Sequence, residues 1–302
     1  MTTLYVFGLN NSGSICFFNT AVQALLSCRG LNAAIKEAEI INAPDVLRLM
    51  AAIIKKYEVS TNGPMKPIDD FTRMLCTLFT YNGQQEDAHD TIMYLLDMMG
   101  STAVKLFTIR YKSEIHCRAC NHKTESRNND ELFIDIPENL PDNGAPIKTY
   151  HDMMSYIKQN YQSPSDYKCE KCGKIGQCMQ INSLSRLPRT IMILFKKYQS
   201  KNVRYFPPEL IFGRHTFGVV AQIEHIGSTN GGHYYLKALR KKPNGIQRII
   251  EQKITDPMQL RNIAANPNGV FIIDDQCVNI SLSGFVPTQE TYLVFYELSN
   301  HS

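Results

Sequence analysis

Two Cys-x-x-Cys pairs, Cys117/Cys120 and Cys169/Cys172, stand with the long interval 121–168 between them, and this spacing constrains the fold more than anything else in the chain. A tetrahedral zinc ion takes four thiolates at about 2.3 Å, and each Cys-x-x-Cys turn can place two sulfurs on one ion. If both pairs share an ion, the chain leaves the site after Cys120 and makes an excursion longer than a self-contained zinc ribbon uses. It then returns at Cys169. Strand-like runs lie near both pairs, and polar turns (Asn121-His122, Gly173-Lys174) follow them. Two unrelated pairs of surface thiols, or a redox Cys-x-x-Cys, are the plainer alternative. Four sulfurs leave no open coordination position, so the expected metal is structural, one ion per chain.

The chain has nine cysteines in 302 residues, and an odd count without a secretory signal argues against a disulfide framework. Residues 1–13 carry no basic stretch followed by an apolar one, so no signal peptide is expected, and the thiols point to a reducing interior, cytoplasmic or nuclear. Cys28, Cys76, Cys178 and Cys277 are expected as packed or surface thiols. Hydrophobic residues make up 43% and charged residues 20%, which excludes disorder. A net charge of +4 with no basic stripe argues against a nucleic-acid partner. No apolar run approaches the roughly 20 residues of a membrane-spanning helix. The four basic residues of 237–242 read as a solvated loop.

Residues up to about 105 carry helical patterns. From Cys16 to Cys28, Phe18, Val22, Leu25 and Leu26 share one face, and Gly30 reads as the stop. Ala43 to Tyr57 and Gln84 to Met99 give two more helices. Strand patterns follow at Phe107 to His116, Leu132 to Ile136, Thr190 to Phe195, Phe217 to Glu224, Tyr234 to Leu239, Val270 to Ile273 and Tyr292 to Tyr296. One amphipathic stretch, Tyr150 to Tyr161, interrupts them. Pro137 to Pro146, Lys241 to Gly245 and Asn262 to Gly269 read as loops. Helices first and strands later predict an α+β fold.

Three places carry candidate chemistry. Cys16 lies where a turn-rich cluster gives way to a helix, where unpaired N–H groups favour a thiolate. The side-chain amide of Asn11, with the Cys16 backbone N–H, could hold a developing oxyanion. Taken alone, such a cysteine is more often a packed residue. In His225-Ile226-Gly227-Ser228-Thr229-Asn230-Gly231-Gly232-His233-Tyr234, a glycine-rich turn ends in His233, a candidate base; the plainer reading is a hairpin with an incidental histidine. His225 reads as structural. Asp274 and Asp275 follow a strand, and either carboxylate could orient His233, although paired acids there are usually a solvated turn.

These segments together resemble the ubiquitin-specific protease family of deubiquitinating cysteine proteases. Gly8 to Phe17 resembles its cysteine box, and Gly231-Gly232-His233-Tyr234, preceded by His225-Ile226-Gly227, its histidine box. Gln84-Gln85-Glu86-Asp87-Ala88-His89-Asp90 is similar to the glutamine-rich segment heading a thumb helix. Tyr167 to Cys172, continuing to Leu187-Pro188, is similar to the second zinc pair and its strands, and Thr291 to Tyr296 to the last strand. The resemblance spans Gly8 to Leu298, in family order.

It implies a papain-like cysteine protease fold in one catalytic domain over 4–298: a helical thumb (about 4–105), zinc-binding β fingers (about 106–190, partly interleaved with the palm) and a β-rich palm (about 191–298). It implies Cys16 as nucleophile, His233 as general base, Asp274 as third residue with Asp275 as second acid, and Asn11 as oxyanion donor. Gln85, Asp87, Asp90, Gly231, Gly232 and Tyr234 would contact the ubiquitin tail. Asp87 and Asp90 also read as first-turn acids favouring the helix dipole. The expected activity is hydrolysis after the C-terminal glycine of ubiquitin through an acyl-enzyme thioester. The alternatives are a catalytically silent ubiquitin-binding module and a protease for another ubiquitin-like modifier. Ubiquitin, ubiquitinated proteins and an adaptor are the expected partners, and a monomer the expected state. The chain departs from the family at Ser12, Ser14 and Ile15 before the nucleophile, at Val270 and Ile273 before the acids, and at Asp90, one methylene shorter than the usual Glu.

Overall fold

The computed structural model describes residues 3–11, 13–37, 44–59, 83–125, 127–139, 144–162, 166–195, 203, 205–228, 231–243, 266 and 268–299. Ser12, Ala43, Cys76, Thr229 and Asn230, and parts of the three expected loops, lie outside them.

The first expected helix, Cys16 to Cys28, is present in shorter form, and a second, unexpected helix follows it. α1 spans Cys16–Leu25 and α2 spans Arg29–Glu37. Gly30, expected as a stop, lies inside α2, and the reason is close packing. A Cβ there would lie 2.8 Å from Cγ of Arg189, and the Gly30 N–H donates to Oε1 of Glu297 at 2.6 Å. Every residue of α1 is buried, including Asn19, Thr20 and Gln23, so it is a core helix rather than a one-faced one. Its buried polar side chains therefore need partners. Gln23 donates to the Phe7 carbonyl at 2.9 Å, and Asn19 reaches two groups of the site described below.

α3 spans Asp45–Val59 and α4 spans Ala88–Met99, followed by the short α5, Ser101–Lys105. Asp87 caps α4 by accepting from the His89 N–H, so residues 84–86 precede the helix rather than start it. α1 packs between α4 and the large sheet.

Two sheets follow. In the smaller, β1 (Ile109–Cys117), β2 (Arg127–Glu131), β4 (Gln159–Gln162) and β5 (Cys178–Arg186) run antiparallel in the order β2-β1-β5-β4. The amphipathic stretch splits into α6, Tyr150–Lys158, and β4. A capping box, in which Thr149 and Asp152 bond each other's backbone N–H, starts α6.

The larger sheet holds β3 (Phe133–Ile136), β6 (Thr190–Phe195), β7 (Glu209–Phe212), β8 (His215–Ser228), β9 (Gly231–Lys241), β10 (Asn268–Asp274), β11 (Cys277–Ile280) and β12 (Thr291–Leu298). Their order is β11-β10-β9-β8-β12-β6-β3, with β7 also on β8. Only β3 and β6 pair in parallel among these strands. Both faces of the sheet are covered. One core joins α1 and its neighbouring helices to one face, and a second lies under α6 on the other. β6 is buried at all six positions, as its unbroken apolar run requires.

The basic residues of 237–242 are not on a solvated loop. Lys237 and Arg240 lie on β9 and are buried. Lys237 pairs with buried Glu224 at 3.0 Å. Arg240 donates to Ser27 Oγ (2.7 Å) and to the Gln23 carbonyl (2.8 Å), so a cation closes the carboxyl end of α1. Burial pushes its guanidinium down to about 10. The apolar neighbours Leu236, Ala238 and Leu239 place these charges inside a strand, where each needs a partner.

Candidate active site

Cys16 opens α1, and its sulfur receives backbone N–H groups from Tyr234 and Phe17 as well as its own. Tyr234 follows His233 on β9, so the cysteine and histidine segments meet. Gln85 joins them. Its Oε1 accepts the Gly232 N–H at 2.9 Å, its Nε2 donates to the Gly232 carbonyl at 2.5 Å, and the same Nε2 lies 3.7 Å from Cys16 Sγ. One side chain thus engages both polar groups of Gly232 and reaches the sulfur.

The two acids diverge. Asp274, ending β10, places Oδ1 2.6 Å from Nε2 of His233. This leaves Nδ1 of the ring for a second partner. Asp275 adopts a left-handed φ of 49°, and its carboxylate takes different partners although an oxygen of each acid and a His233 ring nitrogen lie within 4.8 Å of one another. Its Oδ2 accepts from Asn11 Nδ2 at 2.8 Å and its Oδ1 from Asn19 Nδ2 at 2.7 Å. Asn11 is held from its other side too, where Oδ1 accepts the N–H groups of Gly13 (3.2 Å) and Ile15 (3.3 Å). Gly8 packs beneath the turn, where a Cβ would lie 2.9 Å from the Asp275 carbonyl.

The Cys16 thiol is not the favoured thiolate its helix-start position suggested. Burial pushes it above its ordinary value; the Tyr234 N–H opposes this, and the Asp275 carboxylate adds to it. The sulfur's residue is 4% exposed, and desolvation outweighs the helix end.

The expected tail-contact residues separate. Gln85 and Gly232 lie at the sulfur. Tyr234 is buried, its ring 4.4 Å from His225 and 5.8 Å from Tyr292. Gly231 begins β9, and Gly232 is crowded by His225, which leaves no room for a Cβ. Asp87 accepts from the Tyr292 hydroxyl at 2.6 Å as well as capping α4. Asp90 is exposed, 3.0 Å from His89 Nδ1. Sequence reasoning missed Asn19 and Tyr292. Asn19 lies one turn after Cys16 on the same helix face, a spacing that could have flagged it.

Far along the chain, Cys117, Cys120, Cys169 and Cys172 bring their sulfurs within 4.8 Å of one another. A tetrahedron with arms of about 2.3 Å has edges of about 3.75 Å. Cys117–Cys172 and Cys120–Cys169 are each 3.7 Å apart. Backbone N–H groups of Ala119 and Cys120 point at Cys117 Sγ, and those of Lys171 and Cys172 at Cys169 Sγ. The donor set therefore fits a four-thiolate metal. All described cysteines are free thiols, and among the described residues no helix is long and apolar enough to cross a membrane.

The chain's helices and sheets form the hand of a papain-like protease. A sequence model described as ubiquitin carboxyl-terminal hydrolase matches residues 7–210. The chain belongs to that family. The match includes Cys16 and all four clustered cysteines; His233 and the two acids lie beyond it.

Ubiquitin carboxyl-terminal hydrolase 26 of Oryza sativa subsp. japonica is 22% identical over 79% of this chain and 24% of its own length. Ubiquitin carboxyl-terminal hydrolase 36 of Drosophila grimshawi is 21% identical over 96% of this chain and 25% of its own length. The chain thus spans about a quarter of these curated relatives. Ubl carboxyl-terminal hydrolase 18 of Pongo abelii is 24% identical over 75% of this chain and 71% of its own length. Among solved structures, a chain of the SAGA DUB module of Ubp8, Sgf11, Sus1 and Sgf73 bound to monoubiquitin superposes with a TM-score of 0.70. It is 17% identical, over 98% of this chain and 69% of that one, and so shares the fold.

Proposed function

We propose that this chain is a thiol-dependent deubiquitinase that cleaves the amide or isopeptide bond after the C-terminal glycine of ubiquitin. The observation that carries this reading is the convergence at Gln85, which binds Gly232 through both amide atoms and reaches Cys16 Sγ at 3.7 Å. The adjoining His233 is engaged by Asp274.

The chemistry follows from these partners. Cys16 gives its proton to His233, and its sulfur attacks the glycine carbonyl. The carbonyl oxygen takes the negative charge and is met by the Asn11 amide and the Cys16 N–H. Collapse breaks the C–N bond as the imidazolium protonates the departing lysine amine, leaving a thioester on Cys16. Water, deprotonated by His233, attacks the thioester, and ubiquitin leaves as a carboxylate while the thiol is restored. Asp274 keeps the ring oriented and stabilises its cationic form.

Cys117, Cys120, Cys169 and Cys172 would hold one zinc ion, which ties the two Cys-x-x-Cys turns of the fingers together and takes no part in bond cleavage. Asp87 and Asp90 are proposed as contacts for the arginines of the ubiquitin tail. An adaptor protein is a further proposed partner, in keeping with the multi-subunit module whose chain shares this fold.

The test is a ubiquitin carrying a C-terminal electrophile. The wild-type chain is expected to form a covalent adduct and Cys16→Ala to bind ubiquitin without one. Adduct formation by Cys16→Ala at the wild-type rate would overturn the assignment, and tight binding by the wild type without adduct would indicate a silent binding module. The relative named as a Ubl hydrolase supports a second reading, in which the modifier is another ubiquitin-like protein. Equivalent probes built on such modifiers separate the two.

A further inference from the structure

A fifth thiol lies against the metal cluster. Cys178, expected only as a packed or surface residue, is buried and packs with Cys117 and Cys169. Buried free thiols usually fill apolar space. Here Cys117, Cys169 and Cys178 form a buried cluster of their own, flanked by Ile115, Cys120 and Tyr167.

Backbone register makes the contact with Cys117 specific. β5 begins at Cys178, on the return from the second Cys-x-x-Cys turn, and Cys178 stands directly opposite Cys117, the last residue of β1. The Cys117 N–H donates to the His122 carbonyl rather than across the ladder, while the Arg118 N–H donates to the Gln177 carbonyl. Cys117 and Cys178 are thus a non-hydrogen-bonded antiparallel pair, the kind whose Cα atoms approach to about 4.5 Å and whose side chains lie closest. That separation falls within the range a disulfide spans, about 4.4–6.8 Å between Cα atoms. The cluster also has an open edge, since Cys172 is exposed.

We propose that Cys178 is a resolving thiol built into the zinc site, so that a peroxide converts Cys117 and Cys178 to a disulfide and releases the metal. The inference rests on the zinc reading given above. Zinc itself has no redox chemistry, so both electrons come from the sulfurs. The Cys117 thiolate attacks a peroxide oxygen, the O–O bond breaks, hydroxide leaves, and Cys117 becomes a sulfenic acid. The Cys178 thiol, losing its proton to that hydroxide, attacks the Cys117 sulfur and displaces a second hydroxide. One thiolate, one thiol and one hydrogen peroxide yield one disulfide, one water and one hydroxide. A zinc ion held there would be left with three of its four thiolates and so become open to removal by a chelator, while β1 and β5 become covalently joined.

The experiment uses the purified chain. Elemental analysis first counts zinc, which tests the zinc reading alone. Hydrogen peroxide is then added with a chromophoric chelator present, and non-reduced peptides are mapped by mass spectrometry. The wild type is expected to release zinc in step with a Cys117–Cys178 peptide pair. Cys178→Ala should lose that pair and release zinc at least about tenfold more slowly. Cys178→Ser, closer in size, serves if the alanine variant misfolds, and the wild-type peptide map needs no variant. Zinc release from the variants at the wild-type rate overturns the proposal. So does a map showing Cys117–Cys120 or Cys169–Cys172 bonds in place of Cys117–Cys178. A folded preparation without zinc refutes the zinc reading, and with it the metal-release half of the proposal; the peptide map then decides the disulfide by itself.

Discussion

Asp275 holds the side-chain amide of Asn11 at 2.8 Å, while its neighbour Asp274 holds His233 at 2.6 Å, so two consecutive carboxylates fasten two different segments of one site. Removing an oxyanion donor costs about 10²–10³ in rate. With Asn11 as the proposed oxyanion donor, Asn11→Ala should fall by that factor. Asp275→Ala frees the Asn11 amide to turn and should lose a comparable share. Because both act through one group, the double variant should be little worse than either alone. Steady-state kcat for the four proteins checks this; multiplicative losses would separate the two residues.

The position of the Cys16 thiol predicts a pH profile. Burial and the Asp275 carboxylate disfavour the anion, so without a base partner the thiolate forms only at pH above the ordinary cysteine range. In a His233→Ala background, alkylation of Cys16 by iodoacetamide should rise with a midpoint above that of a free cysteine. Adding Asp275→Asn removes a negative charge and should move that midpoint down. The rate of alkylation against pH reads both.

Gln85 binds Gly232 through two hydrogen bonds and stands beside the sulfur. Its truncation loosens the histidine segment without removing a reacting group. Gln85→Ala should lower kcat by roughly tenfold or more, the scale of a lost positioning contact, while ubiquitin affinity changes little. Binding by titration calorimetry alongside turnover distinguishes this from a lost tail contact, which would raise KM.

Chelation of the proposed zinc should loosen the fingers and spare Cys16. The four sulfurs lie at one end of the β2-β1-β5-β4 sheet, whereas Cys16 sits between α4 and the larger sheet. A strong chelator is expected to release one zinc per chain and lower Tm. Alkylation of Cys16 in the still-folded protein should stay within about twofold of the untreated rate. A Tm that does not move would refute the structural role.

Arg240 lends itself to a stability test. Its guanidinium closes α1 through Gln23 and Ser27. Arg240→Ala leaves a cavity and unpaired buried acceptors, which together should cost about 3 kcal/mol. Urea unfolding measures it.

The sequence showed its structure best where burial is two-sided. Ile191 to Phe195 is a continuous apolar run, and the strand expected from Thr190 to Phe195 is found with the same limits. β2 reads Arg-Asn-Asn-Asp-Glu and carries no apolar signal, because its residues are largely exposed and only pairing with β1 makes it a strand. β5 was missed for a similar reason, its residues being mostly half-buried. α2 was hidden by Gly30, which resembles a stop until Arg189 and Glu297 are seen against it. The residue types of the candidate site stood out through their boxes. The division of labour between Asp274 and Asp275 did not, since it depends on one left-handed backbone angle that no local pattern encodes. Likewise Lys237 and Arg240 looked solvated because a charge says nothing about its partners, which are Glu224 on the neighbouring strand for Lys237 and Gln23 and Ser27, more than two hundred positions away, for Arg240.

β9 carries His233 near its start and Arg240 near its far end, and α1 lies along it with Cys16 at one tip and Gln23 toward the other. Helix and strand are therefore fastened to each other twice, once at the mouth of the cleft and once deep within the protein. Such a splint ties the segments that carry Cys16 and His233 to each other without help from the rim. Under the proposed function, surface residues around the entrance are then at liberty to drift toward new conjugates while the proposed reacting pair stays in tune.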